Sequence, residues 1–302
     1  MSAATITATP CQPNIGAEIG GVDLSKPITE DIADAIRSAL LKYQVIVLRD
    51  QHITREQHKD FARIFVKNTE SPFTIPRNQA NPIPDYPEIL NLMADGIKKT
   101  AADVWHSDEC FRVWPAVVSV LRGRVVPSLG GDTVFSSAVA AYENLPDDVK
   151  QKIRDLKALN SPLYLFANAS QAQLNTAGPQ GFAKQVSEFP PLAQPIVRIH
   201  PETKKPVLYV NKGYSGVIVG MEGEEGSKLL AYLCDQAVKP DYQFRVRWKV
   251  DTIVVWDNRS VQHYAVADYS EPRVMERFLV AGNEPAYGFS DLHEKRAPEN
   301  AA

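Results

Sequence analysis

Cysteine is scarce in this chain. Cys11, Cys110 and Cys234 are the only three, none forms a CxxC pair, and an odd count leaves at least one thiol free in any disulfide scheme. That argues against a disulfide-stapled secreted scaffold and for a reducing compartment. No stretch approaches the roughly 20 consecutive apolar residues of a membrane span. The opening residues, Met1 to Gly21, lack the basic start and apolar run of a signal peptide. Neither sign of charge dominates: 33 Lys and Arg stand against 36 Asp and Glu, a formal net charge of -3. A general attraction to nucleic acid or to an anionic membrane is therefore not expected, and any affinity for an anion must be local. Internal repeats and low-complexity tracts are missing too. What remains is the expectation of a cytoplasmic protein acting on a small molecule, with the oligomeric state, homo-oligomer included, left open.

The 302 residues, 44% hydrophobic and 23% charged, suit one large domain elaborated by loops better than two modest ones. Thr29 to Leu41 predicts an amphipathic helix, with Ile32, Ala35, Ile36, Ala39 and Leu40 at i, i+3, i+4 spacing. The run from Tyr43 to Leu48 predicts a buried strand, and Thr54 with Gln57 is a capping-box signature for a second helix to about Phe65. Pro146 divides a helical stretch between Ala138 and Leu156. Strands are expected at Val117–Val126, Thr133–Phe135, Ile196–Ile199, Val207–Val210, Phe244–Trp248, Ile253–Trp256 and Val274–Val280, with one helix near Gly223–Gln236. Residues 67–103 and 160–195 read as loop insertions, the first broken by the apolar piece Ile89–Met93. Helices early and many short strands late predict a mixed α+β chain with a mainly β core: a double-stranded β-helix (jelly roll) with helices packed on one sheet.

Trp105-His106-Ser107-Asp108 places an imidazole and a carboxylate two residues apart. In an extended strand both leave the same face. Alone, the triplet is equally accounted for by a buried His hydrogen-bonded to a nearby Asp. Far downstream, Ile253–Trp256 reads as a buried strand and Asp257-Asn258-Arg259 as a turn leading towards His263. Two histidines and one carboxylate on one face of a metal leave three positions open, the arrangement of non-haem Fe(II) oxygenases. Arg273, Met275 and Arg277 would share one strand face, with Val274, Glu276 and Phe278 on the other. Two inward arginines are costly unless each meets an anion; a solvated strand face is the plainer alternative.

Taken together, Trp105–Asp108, Gly130-Gly131-Asp132-Thr133, Trp256–Arg259, His263-Tyr264-Ala265, Asp268-Tyr269, Arg273 and Arg277 resemble the taurine dioxygenase (TauD/TfdA) family. Ile15–Leu24, Gln44–Gln51, His200–Thr203 and Leu208–Asn211 extend the likeness over nearly the whole chain. The resemblance implies a jelly roll and a dioxygenase using Fe(2+), 2-oxoglutarate and O2, with succinate and CO2 as products and hydroxylation of a substrate C–H bond. It implies His106, Asp108 and His263 as metal ligands, Thr133 and Arg273 as holders of the distal carboxylate of 2-oxoglutarate, and Arg277 as partner of an acidic group on the substrate. The acid would be of sulfonate, sulfate ester, aryloxy or amino acid type.

Departures from the taurine enzyme bear on the substrate. Ser71 and Thr74 fall where it carries a His and a Tyr, and Ala102 replaces an Asn. Taurine itself is therefore not the expected substrate. Phe73, Phe111 and the aromatic residues of 160–195 suggest an apolar substrate body, although packing anchors are the commoner role of such residues. His52, His58, His200 and His293 have no ligand-like spacing and read as surface or structural. Two alternatives stand beside the hydroxylase: a same-fold biosynthetic oxidase performing desaturation or epimerisation, and a non-catalytic jelly-roll binding module.

Overall fold

A computed structural model describes residues 6–66, 73–75, 82–97, 102–167, 183–282 and 284–294. Ser71, two of the aromatic residues of 160–195 (Phe182 and the side chain of Phe166) and the side chain of His293 lie outside the described residues.

In chain order the elements are β1 (Thr7–Pro10), β2 (Ala17–Gly20), α1 (Glu30–Tyr43), β3 (Val45–Leu48), α2 (Arg55–Arg63), β4 (Leu90–Ala94), β5 (Val118–Val125) and β6 (Thr133–Ser137). There follow α3 (Ala138–Glu143), α4 (Asp147–Ile153), β7 (Lys157–Asn160), α5 (Pro162–Ala167), α6 (183–188), β8 (Leu192–Pro195), β9 (Val197–Ile199), β10 (Pro206–Leu208) and β11 (Ser215–Ile218). The chain closes with α7 (Glu224–Gln236), β12 (Gln243–Val246), β13 (Ile253–Asp257), β14 (Val261–Ala265), β15 (Arg273–Val280) and α8 (Phe289–Glu294).

A seven-stranded sheet runs β1-β2-β3-β13-β5-β15-β4, and a three-stranded sheet runs β12-β6-β14. Strand alternation divides the larger sheet's side chains between two cores. Val45, Val47, Leu121, Val254, Trp256 and Met275 meet Phe135, Phe244, Val246 and Val261 of the smaller sheet. Ile46, Leu48, Val118, Val120, Ile253, Val255 and Phe278 point the other way, onto Ile36 and Leu40 of α1 and Phe61 and Ala62 of α2. Full burial of each such large side chain contributes roughly 1.5–3 kcal/mol, which is what holds helices and sheets in these layers. This is the expected jelly roll with helices on one sheet. α1 forms where its apolar stripe predicts, and α2 begins in a complete Thr54/Gln57 capping box. Pro146, unable to continue α3, caps α4.

Several expectations are corrected. His106 and Asp108 do not share a strand: His106 makes a single bridge to His263, and residues 108–110 turn sharply, with Glu109 at φ +55°. The turn expected at Asp257–Arg259 is present at 258–260, and beyond it His263 lies within β14, which pairs antiparallel with β6. Much of the 67–103 insertion that the structure describes is sheet: β4 pairs with β15 from Ala94/Arg273 to Leu90/Arg277, and Thr74 bridges Val280. It covers the outer edge of β15. Within 160–195, β8 pairs with β7, a register set by backbone hydrogen bonds that residue types alone do not announce.

Candidate metal centre and active site

β14 and the segment before β5 bring the site together. His106 N donates to the carbonyl of His263 (3.1 Å) and His263 N to that of His106 (2.8 Å), so the two imidazoles start from one hydrogen-bonded backbone pair. Their ring centroids are 4.1 Å apart. His106 Nε2 lies 3.8 Å and His263 Nε2 3.9 Å from Asp108 Oδ1. One ligand atom from each of the three residues falls within 4.8 Å of the others, and all three side chains are buried.

Each donor is in a form that can coordinate a cation. His106 Nδ1 faces the Val104 carbonyl at 2.8 Å, which fixes its proton there and leaves the Nε2 lone pair for the centre. Burial, above all, holds the His263 imidazole well below its usual range and therefore neutral. Burial opposes ionisation of Asp108, but the Arg277 guanidinium above all, with the Ser119 hydroxyl adding to it, favours the charged form, and the carboxyl stays well below the usual carboxylate range. Neutral imidazoles and an ionised carboxylate are the donor set that divalent transition metals take up.

β15 adds two buried cations, Arg273 and Arg277. Arg273 is buried on β15, its Nε has no hydrogen-bond partner, and among the described residues it forms no ion pair. Its guanidinium lies 5.9 Å from the Tyr269 ring centroid. Thr133, at the start of β6, is buried and accepts the Trp248 indole N–H at 3.0 Å, leaving its own hydroxyl proton to donate. The turn before it carries Gly131 at φ +72°, where a Cβ would come within 3.3 Å of Arg273 Cδ. Glycine thus satisfies the left-handed turn and its close approach to Arg273 together. A buried guanidinium without a counter-ion is a marked cost unless an anion from outside completes it. The residues present fit a metal bound beside a dicarboxylate.

The family described as taurine catabolism dioxygenase TauD, TfdA family matches residues 7–279. The chain belongs to this family. As a member it is an α-ketoglutarate-dependent dioxygenase, an oxidoreductase. It is 32% identical over 274 residues to an alkylsulfatase of Acinetobacter baylyi, covering 89% of this chain and 82% of that protein. An α-ketoglutarate-dependent sulfate ester dioxygenase of Pseudomonas putida is 31% identical, over 91% of this chain and 89% of its own. Among solved structures, AAD-2 in complex with Mn(II) and N-oxalylglycine superposes with a TM-score of 0.75 at 33% identity, over 94% of this chain and 100% of that one. A taurine dioxygenase from Burkholderia xenovorans gives 0.78 at 27% identity, over 95% and 92%.

The remaining predicted site residues of this family member are placed unevenly. Arg277 is buried, and its Nη1 donates to Asp108 Oδ1 at 2.9 Å and Oδ2 at 3.0 Å, while its Nε has no partner. Phe111 is buried between Tyr214 and Phe189, with ring centroids 4.9 and 5.1 Å away. Ala102 accepts a backbone hydrogen bond from Ala265, two residues beyond His263. Thr74 sits on the edge of β15. Phe73 packs on Phe278 in the helix-side core, the opposite face of the sheet from Arg277, so its expected place on a substrate wall is wrong. Strand alternation separates the two faces.

Sequence reading missed Tyr214, whose ring meets His106 edge-on at 6.1 Å. It also missed the role of the Trp256–Arg259 turn. Arg259 donates to both oxygens of Asp257 (2.8 and 2.6 Å) and to Glu202 (2.6 Å). His200 Nδ1 accepts the N–H groups of Glu202 and Thr203, so its Nε2 carries the proton that meets Asp257 at 3.0 Å. This buried lattice locks the turn between β13 and β14, upstream of His263 by only a few residues. The charged residues of the quoted motifs, Asp257, Arg259, His200 and Glu202, are there to position it.

Proposed function

We propose that the protein uses Fe(2+) held by His106, Asp108 and His263, takes 2-oxoglutarate through Thr133 and Arg273, and oxidises a C–H bond of a small organic anion that meets Arg277. The observation that carries this reading is the convergence of three buried donor atoms within 4.8 Å, with Arg277 on the carboxylate and, four residues before it on the same strand face, a buried Arg273 that forms no ion pair among the described residues. Fe(2+) with 2-oxoglutarate and O2 would supply the oxidising power, releasing succinate and CO2. The chain's own residues bind, orient and exclude water. His106 and His263 offer neutral nitrogen donors, and Asp108 supplies the charge that balances the cation. Arg273 and the Thr133 hydroxyl take the distal carboxylate of the cosubstrate, whose other end is thereby aimed towards the triad. Arg277 keeps one guanidinium nitrogen on Asp108 and has its Nε for the substrate's acid. Phe111 and Tyr214 form apolar walls around His106 that keep water away.

Relatives named for sulfate esters and aryloxy acids support a sulfate ester, sulfonate or aryloxy acid as the substrate class. Residues 1–302 act as one catalytic domain in this reading. The buried, unpaired thiols of Cys110 and Cys234 support a reducing, cytoplasmic setting.

Anaerobic addition of Fe(II) and 2-oxoglutarate should give a metal-to-ligand charge-transfer band in the native protein and none in His106→Ala or Asp108→Ala. Succinate release with a panel of sulfate esters, sulfonates and aryloxy acids should depend on the same residues. Persistence of band and turnover in either variant would overturn the ligand assignment.

A further inference from the structure

Asp108 has two oxygens, and the structure treats them differently. Oδ1 faces the Nε2 atoms of both histidines, whereas Oδ2 accepts the Ser119 hydroxyl at 2.7 Å. Ser119 lies near the start of β5, fully buried, directly across the ladder from Trp256 on β13. It is a polar residue in an otherwise apolar run, Val117-Val118-Ser119-Val120-Leu121.

The hydroxyl is not free to choose its partner. Trp256 Nε1 is only a donor, and it lies 2.9 Å from Asn258 Oδ1. The backbone N–H of Asp108, a second donor, approaches the same oxygen at 3.3 Å. These two fix which end of the Asn258 amide is oxygen, and its Nδ2 then donates to Ser119 Oγ at 2.9 Å. With one lone pair occupied by that N–H, the serine's single proton goes to Asp108 Oδ2. All four side chains are buried, so no water competes for the positions. Indole, amide, hydroxyl and carboxylate form a one-way chain of donors.

We propose that Ser119, aligned by Asn258 and Trp256, is a positioning residue that holds Asp108 as a one-oxygen donor to the metal. This rests on the function proposed above. Carboxylates bind metals through one oxygen or through both. A facial triad leaves three positions of a six-coordinate metal open, enough for a two-point cosubstrate and oxygen together. If Asp108 rotated to bind through both oxygens, one of those three positions would be lost. The chain from Trp256 opposes that rotation by giving Oδ2 a partner that the metal would have to displace. Arg277, which touches both oxygens through one nitrogen, fixes the charge but does not distinguish them.

The test uses Mn(II) bound to the full-length protein, read by water-proton relaxation, which reports water held directly on the metal. Native protein should bind one Mn(II) with three exchangeable inner waters. Ser119→Ala should lose about one of the three, with relaxivity falling by about a third, and Ser119→Thr, which restores a hydroxyl, should recover it. Asn258→Asp keeps the shape but turns the amide donor into an acceptor. The serine proton should then swing from Asp108 to residue 258, giving the same fall with Ser119 in place. That variant decides the matter should Ser119→Ala fail to fold. Native protein that binds no Mn(II) would sink the proposed function itself. Native binding with unchanged relaxivity in both Ser119→Ala and Asn258→Asp would leave the function standing and overturn the role of Ser119.

Discussion

Arg273 and Arg277 stand one above the other on the same face of β15, equally buried, yet their surroundings differ. Arg277 meets Asp108, an acid belonging to the protein. Arg273 meets an aromatic ring and a glycine turn, and Asp132 acts on it only from beyond ion-pair distance. Burial lowers the Arg273 pKa from its ordinary value, a sign that its charge is poorly compensated by its neighbours. The contrast is one of degree: Arg277 already holds an acid of the protein through Nη1, with its Nε left over, whereas Arg273 has no acid in ion-pair contact among the described residues.

That difference can be broken by substitution in the metal-free, ligand-free protein. Arg277→Met should orphan a buried carboxylate and cost about 3–5 kcal/mol of stability, as removal of one member of a buried pair does. Arg273→Met orphans nothing and should change stability little, and the longer apolar side chain can improve it. Chemical denaturation of the two variants side by side checks this; equal losses would end the distinction. Adding 2-oxoglutarate with metal sharpens it. At a hundredfold excess over its Kd, a ligand stabilises the native state by about 2.7 kcal/mol. Arg273→Met should forfeit most of that gain. Thr133→Val removes one donor to the cosubstrate and should forfeit a smaller share of that ligand-induced gain than Arg273→Met does, while the unpaired Trp248 indole N–H costs the ligand-free protein about 1–3 kcal/mol. A Thr133→Val protein with an undiminished ligand-induced rise in Tm would separate Thr133 from the cosubstrate.

The wider layout of the sheet was legible beforehand because alternation is a local property. Met275 lies in the inter-sheet core and Phe278 in the helix-side core, as the period of two requires, and Glu276 reaches Arg55 on α2 at 2.8 Å. The capping box, the break at Pro146 and the edges of α7 are likewise short-range signals. Less visible was anything set by pairing between distant segments. His106 and Asp108 converge through a bridge and a turn rather than along a strand, and the bridge is to a residue more than 150 positions away. Ser119 offered only the oddity of a polar residue in an apolar run, and its partner became apparent when β5 lay beside β13. Phe73 was misplaced because an aromatic residue in a loop carries no mark of which sheet face it will cover.

By itself the sequence determined the residue types of the candidate metal-and-anion site, their order and the layers of the fold, since these follow from side-chain chemistry and from periods of two and 3.6 residues. Only the tertiary structure decided which arginine is left without an acid, which oxygen of Asp108 faces the histidines, and that Trp256, Asn258 and Ser119 form one directed chain. Those outcomes depend on strand register and on hydrogen-bond direction between segments far apart in sequence, and neither is encoded in any single stretch of it.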